Sequence, residues 1–209
     1  MQAHQTPTIE RYLRNVLAFA PKRSIILVSS DDLVGGFLYM KCALDVRPDV
    51  EVITPRLLLA DWYWPRVSAR LGFVVEHGVR SSASEEPVLA GGALLEQLVA
   101  TGRPVLLDGW FASGLETRFP SYPIGPTIRV VGSWEAVPAP DDLYVANDEL
   151  FRMMDIGPPP PNGTWAGARF ASYARPWRVL ASAYDRAGDT ARAQECRARA
   201  DALQPLQPR

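Results

Sequence analysis

Between Thr8 and Phe19 the apolar residues Ile9, Tyr12, Leu13, Val16 and Leu17 recur at helical spacing. That spacing predicts an amphipathic helix of about three turns, with Pro7 suited to its start and Pro21 to its end. The pattern then shortens. Ser24–Ser29 (SIILVS) is an unbroken apolar run, as expected of a strand covered on both faces. Leu33–Leu44 returns to helical spacing behind Ser30-Asp31-Asp32, where a hydroxyl or carboxylate can cap the first turn. Asp49–Thr54 (DVEVIT) alternates as a second strand. From Pro55 a helical stretch runs on, with Leu57, Leu58, Trp62, Tyr63, Val67 and Leu71 inward and Gly72 as its stop. Phe73–Glu76 reads as a short strand and His77–Pro87 as a polar loop. Leu94, Leu95, Leu98 and Val99 define a helix ended by Gly102. Pro104–Asp108 (PVLLD) and Thr127–Val131 (TIRVV) are a third and a fourth strand.

Helices alternating with strands predict an α/β fold: a Rossmann-like open, mainly parallel sheet flanked by helices, over residues 1–137. Residues 138–163 connect it to a C-terminal segment. They hold a helix over Asp142–Asp155 and the run Gly157-Pro158-Pro159-Pro160-Pro161-Asn162-Gly163, which neither helix nor sheet accommodates. Residues 164–209 are rich in Ala and Arg and helical again.

This last segment carries the most specific pattern. Leu180, Ala181, Tyr184, Gly188, Ala193, Ala200 and Pro205 lie 3, 4, 7, 11, 16, 23 and 28 residues after Trp177. The spacing resembles the tetratricopeptide repeat, a helical hairpin. The physical logic stands by itself: Ala181 and Ala193 let two helices approach closely, Trp177 and Tyr184 fill one face, and Gly188-Asp189 turns the chain. Arg197 departs from the repeat, which has an apolar residue there. One hairpin cannot bury its face alone. It is either a plain packing element or a partner-binding repeat with Trp177, Tyr184 and Arg197 at the contact.

Asp31, Asp32, Tyr39, Arg47, Pro48, Asp49, Val50, Leu57, Leu58, Trp62 and Tyr63 carry a second resemblance. The stretch from Ser24 to Leu71 is similar to the soluble portion of bacterial protein O-mannosyltransferase-like membrane proteins. A weaker match continues through Arg103-Pro104-Val105 and Tyr122-Pro123 to Gly125 and Arg129. The resemblance implies that sugar-transfer chemistry belongs to a membrane-spanning half, which these residues do not include. It therefore implies a non-catalytic binding or scaffolding domain. The partner it implies is a protein, a membrane glycosyltransferase or another envelope component.

Composition narrows the alternatives. The chain has 209 residues, 47% of them hydrophobic, and a net charge of −1. That near-neutral balance does not suit a sequence-independent nucleic-acid binder. No run approaches the ~20 apolar residues of a membrane span. Cys42 and Cys196 are far apart, and buried free thiols are expected. With only His4 and His77, a Cys/His zinc site is not expected. There is no GxGxxG or phosphate-loop motif and no GxSxG, so neither a cofactor nor a hydrolase triad is expected. With Met1 as a native start the compartment is the cytoplasm; as an excised domain it is extracytoplasmic.

The remaining chemistry sits at strand ends. Ligands of open α/β sheets bind beyond the carboxyl ends of strands. Asp31 and Asp32 follow the first strand and Asp108 ends the third, with Trp110 just beyond. Trp62 and Tyr63 supply aromatic faces. Convergence of Asp31, Asp32, Asp108 and Trp62 would make an acidic pocket for a sugar or nucleotide. Otherwise one carboxylate caps a helix and the aromatics pack. Arg47-Pro48-Asp49 reads as a turn fixed by its own hydrogen bonds.

Overall fold

A computed structural model of the chain describes residues 6–74, 87–108 and 119–204. The chain divides into two compact units. One holds residues 20–121 and 129–137, the other residues 1–19, 122–128 and 138–209.

The chain is α/β, with an open mixed five-stranded sheet. Its strands are β1 (Ile25–Leu27), β2 (Glu51–Ile53), β3 (Val105–Asp108), β4 (Ser121–Ile124) and β5 (Thr127–Val130), in the order β2-β1-β3-β5-β4. β1 runs parallel to both β2 and β3, with Leu27 level with Ile53 on one side and Leu107 on the other. Ile25, Ile26 and Leu27 are fully buried, which explains why their run is apolar throughout rather than alternating.

In the first unit, α2 (Asp31–Cys42) buries Leu33, Phe37 and Met40, one residue per turn. The helical stretch expected from Pro55 to Leu71 is broken. Pro55–Leu59 forms a 3₁₀ turn and α3 (Trp64–Leu71) starts afresh. Pro65 is the reason: inside a continuous helix it would lack an N–H and clash with the carbonyl four residues back. At the start of α3 it is tolerated. Gly72 does close α3, at φ +79°. Phe73 and Val74 carry no strand, and Val74 is exposed. The rest of that expected strand, and residues 77–86 of the expected loop, lie outside the described residues. α4 (Pro87–Ala100) buries Leu94, Leu95 and Leu98 and leads to β3.

β2, an edge strand, is covered by the segment that follows it. The Thr54 N–H donates to the Tyr63 hydroxyl at 3.0 Å, and Arg70 pairs with Glu51 at 3.0 Å.

The sheet is not mainly a run of parallel crossovers, because β4 and β5 are joined by Gly125-Pro126 alone. Such a short link makes them an antiparallel hairpin. Gly125 holds φ +53°, which glycine adopts without a Cβ penalty. β4 contains Pro123, which argues against a strand unless the strand is an edge, and β4 is one. The Val131 N–H donates to the Pro120 carbonyl at 2.9 Å. Even-numbered residues of β4 therefore face β5, and Pro123 points its missing N–H outward.

The other unit is built on helices: α1 (Thr6–Phe19), α5 (Pro140–Met153), α6 (Trp165–Ala171), α7 (Arg175–Ala187) and α8 (Thr190–Ala202). α7 and α8 form the hairpin. Gly188 turns it at φ +80°, and Asp189 caps α8 by accepting the Arg192 N–H at 3.0 Å. Its core is Trp177, Leu180, Ala181, Tyr184, Ala193, Cys196 and Ala200, with Leu143 of α5. Each large side chain buried there is worth about 1.5–3 kcal/mol of hydrophobic free energy. Tyr12 and Tyr173 meet edge-to-face at 5.7 Å, and the Asn15 amide donates to the Tyr173 hydroxyl at 2.7 Å. The chain leading into the proline-rich run is tied to α1: Arg11 pairs with Asp155 at 3.1 Å, and Asn15 donates to the Asp155 carbonyl at 3.0 Å.

Candidate functional site

β1 hands the chain to β2 on one side while β3 lies on the other, so the carboxyl ends of β1 and β3 form a topological switch point. Asp108 closes β3 there and is 2% exposed. Its carboxylate accepts the Ser29 N–H at 2.9 Å, which ties the two strand ends together. Asp31 and Asp32 follow in the first turn of α2, Asp31 exposed and Asp32 partly so. Both sit where the helix dipole favours negative charge. Ser30 is the N-cap residue, in extended conformation, but its side chain makes no capping bond. The Ser29 and Ser30 hydroxyl oxygens are buried and have no hydrogen-bond partner. Asp108 thus lies against the backbone of Ser29, two and three residues before Asp31 and Asp32, in a turn with two unsatisfied hydroxyls.

The aromatic residues take other roles. Trp62 is exposed, packs edge-to-face on Tyr63 at 5.5 Å and lies under the Arg66 guanidinium at 5.6 Å. Tyr63 is a structural acceptor for Thr54, and burial raises its hydroxyl pKa above the ordinary value. Trp110 lies outside the described residues. Among the described residues, no group of three or more His, Cys, Asp or Glu is placed to hold a metal ion.

At the opposite, amino end of the strands, Arg47-Pro48-Asp49 is a clamp. Arg47 sits at φ +51° and donates twice to Asp49, at 2.7 and 2.9 Å, and to the carbonyls of Ala20 and Pro21. The Arg23 N–H adds a further bond to Asp49 at 2.9 Å. The Arg47 bonds, then that N–H, hold the Asp49 carboxyl well below the usual carboxylate range. Lys41 donates to the Arg47 and Val50 carbonyls, and burial lowers its pKa. The charged groups of this turn are engaged in holding the chain.

In the hairpin unit, Trp177 is 1% and Tyr184 3% exposed. Both are core residues, so a partner would meet other faces of these helices. Arg197 is exposed and pairs with Asp185 across the hairpin. The Tyr184 hydroxyl donates to Asp141 at 2.8 Å; burial and that bond push its pKa up to about 12. Arg199 stacks on Trp177 at 4.6 Å and on Tyr144 at 5.0 Å while pairing with Asp148. Tyr144 is likewise pushed up to about 12, by burial and by its bond to Glu195. Both cysteines are free: Cys196 is buried, and Cys42 is exposed, contrary to expectation, because it falls on the outer face of α2.

That outer face was not singled out in the sequence. Leu38 is 50% and Tyr39 58% exposed, beside exposed Gly35 and Cys42. No charged residue occurs between Asp32 and Lys41. A helix apolar on both faces is normally covered on both. The signal was available as the absence of polar residues at the positions alternating with Leu33, Phe37 and Met40.

Compared with known proteins, the chain matches no family model, no curated protein and no solved structure. What the geometry defines is an α/β protein with an open mixed sheet flanked by helices. No helix among the described residues is long and apolar enough to cross a membrane.

Proposed function

We propose that this chain is a non-catalytic protein-binding domain, related to the soluble part of membrane glycosyltransferases of the protein O-mannosyltransferase-like class. On this reading the sheet is a Rossmann-like scaffold and α7–α8 a tetratricopeptide-type hairpin. The observation that carries the proposal is the outer face of α2, where Leu38 and Tyr39 are half or more exposed on a helix without polar residues to solvate that side. The proposed occupant is an apolar protein surface on the glycosyltransferase or an envelope neighbour. The Arg47-Asp49 clamp fits a supporting role, since its charges hold the chain together. The test uses the purified protein as bait against separate soluble and membrane extracts. Recovery of an integral glycosyltransferase, lost with Leu38→Glu and kept with Arg197→Ala in the other unit, supports the reading. Identical recoveries with wild type and Leu38→Glu refute it.

The switch point favours a second reading. Buried Asp108, the acidic turn at Asp31 and Asp32 and the unsatisfied Ser29 and Ser30 hydroxyls suit a sugar or nucleotide ligand. A thermal-shift screen of sugars and nucleotides tests it. A stabilising ligand whose effect disappears with Ser30→Ala supports it; a flat screen removes it.

A further inference from the structure

The chain contains three asparagines, Asn15, Asn147 and Asn162. Asn15 and Asn147 lie in helices, are 6% and 0% exposed, and have their amides bonded. In a helix the following N–H is committed to a carbonyl on the preceding turn, which directs it away from the side chain. Asn162 differs in burial and in setting. It is exposed, stands in the turn after the proline run, and is followed by Gly163, which is also exposed and holds φ +74°. The Gly163 N–H donates to the Asn162 side-chain oxygen at 2.8 Å. The Gly163 nitrogen therefore lies at most about 4 Å from the carboxamide carbon, one C=O bond beyond that oxygen. Glycine has no Cβ to hinder a closer approach.

We propose that Asn162 is a site of spontaneous deamidation whose rearranged product loosens α6. The Gly163 nitrogen attacks Asn162 Cγ and passes its proton to solvent base. The C–N bond to the side-chain amide breaks, and that group leaves as ammonia. The result is a five-membered imide. Water then opens the ring at either carbonyl. Opening at Cγ yields aspartate at 162; opening at the main-chain carbonyl yields isoaspartate, with the chain running through Cγ. The sum is asparagine plus water giving acid plus ammonia, without oxidation or reduction.

The neighbouring structure makes the two products unequal. Thr164 caps α6: its hydroxyl accepts the Gly167 N–H at 3.0 Å and donates to the Pro161 carbonyl at 2.8 Å. A Cβ on Gly167 would lie 2.6 Å from that carbonyl, so the first turn of α6 sits directly against the Pro161–Asn162 backbone. Aspartate keeps the chain path and adds negative charge near a helix start, where it is tolerated. Isoaspartate inserts an extra backbone atom between Pro161 and Thr164. The Thr164 cap and the Pro161–Gly167 contact cannot both survive that insertion. α6 buries Arg169 and Phe170, so the change reaches the core of its unit.

The experiment ages the full chain in mildly alkaline buffer at physiological temperature. Peptide mapping by mass spectrometry follows each asparagine, and enzymatic methyl labelling distinguishes isoaspartate from aspartate. Conversion is expected at Asn162, with the Asn15 and Asn147 peptides unchanged, and is expected to vanish in both Asn162→Gln and Gly163→Ala. Hydrogen exchange of residues 164–171 should quicken in the aged wild type but not in aged Asn162→Gln or fresh Asn162→Asp. If Asn162 stays intact while a synthetic Pro-Pro-Asn-Gly-Thr-Trp peptide converts, the fold protects the turn and the proposal fails. Conversion without any change in exchange over 164–171 overturns the link to α6.

Discussion

Asn147 is fully buried in α5, and its side-chain amide stands in for a strand at the outer edge of β4. Its oxygen accepts the Gly125 N–H at 2.8 Å, and its nitrogen donates to the Leu143 carbonyl at 2.8 Å and the Pro123 carbonyl at 3.3 Å. Replacing it with alanine leaves the Gly125 N–H and the Pro123 carbonyl without this partner. The Leu143 carbonyl, being helical, keeps its own backbone bond. An orphaned buried donor costs about 1–3 kcal/mol and an orphaned acceptor somewhat less, so Asn147→Ala should destabilise by about 2–4 kcal/mol. Urea unfolding followed by tryptophan fluorescence and circular dichroism measures the loss, compared at unchanged denaturant slope. Hydrogen exchange at Gly125 supplies the local readout. Asn147→Asp sharpens the test. Its carboxylate would still accept from Gly125 but would face the Pro123 and Leu143 carbonyls, so the protonated form is favoured in the fold and the folded pKa is raised. Stability of that variant should then fall as pH rises from mildly acidic to neutral. A loss under about 0.5 kcal/mol in Asn147→Ala, with the Gly125 amide still protected, would refute the strand-mimic argument.

The hairpin and the Arg47 clamp give three more expected outcomes. Gly188→Ala meets nothing within 4 Å but must hold φ +80°, so it should cost about 1 kcal/mol in urea unfolding from backbone conformation alone, with Gly188→Asn costing less. Ala193→Leu places a large side chain where α7 and α8 meet at 0% exposure, and should lower stability by about 1–3 kcal/mol or prevent folding, with loss of near-ultraviolet dichroism as the sign. Asp49 has its carboxyl pKa depressed below the ordinary value of 3.8 by Arg47 and then the Arg23 N–H, so its contribution is present above that value and lost as pH falls through the folded pKa. As pH falls below about 4 the wild type should therefore lose stability more steeply than Asp49→Asn.

The features legible in the sequence and those that were not divide along physical lines. β1, β2, β3, α1 and the hairpin turn at Gly188 were readable because each is dictated locally, by apolar spacing or by a glycine that must take positive φ. β4 was missed because Pro123 argues against a strand, and only the tertiary position of an edge excuses it. The break at Pro65 was present in the sequence and outweighed, wrongly, by the apolar spacing on either side of it. Asn147 gave no local sign of its role, since a polar residue in a helix is ordinarily solvated. The strand-end carboxylates show the same division. Asp31 and Asp32 follow a strand in sequence, whereas the approach of Asp108 to Ser29 depends on β3 pairing beside β1 and required the fold. The hairpin shows the converse risk. Trp177 and Tyr184 were conspicuous because they are large and regularly spaced, yet that regularity is the signature of a packed interior, and both are buried. Exposure of apolar groups is the more informative sign of a contact, and on α2 it was written as an absence of charge between Asp32 and Lys41.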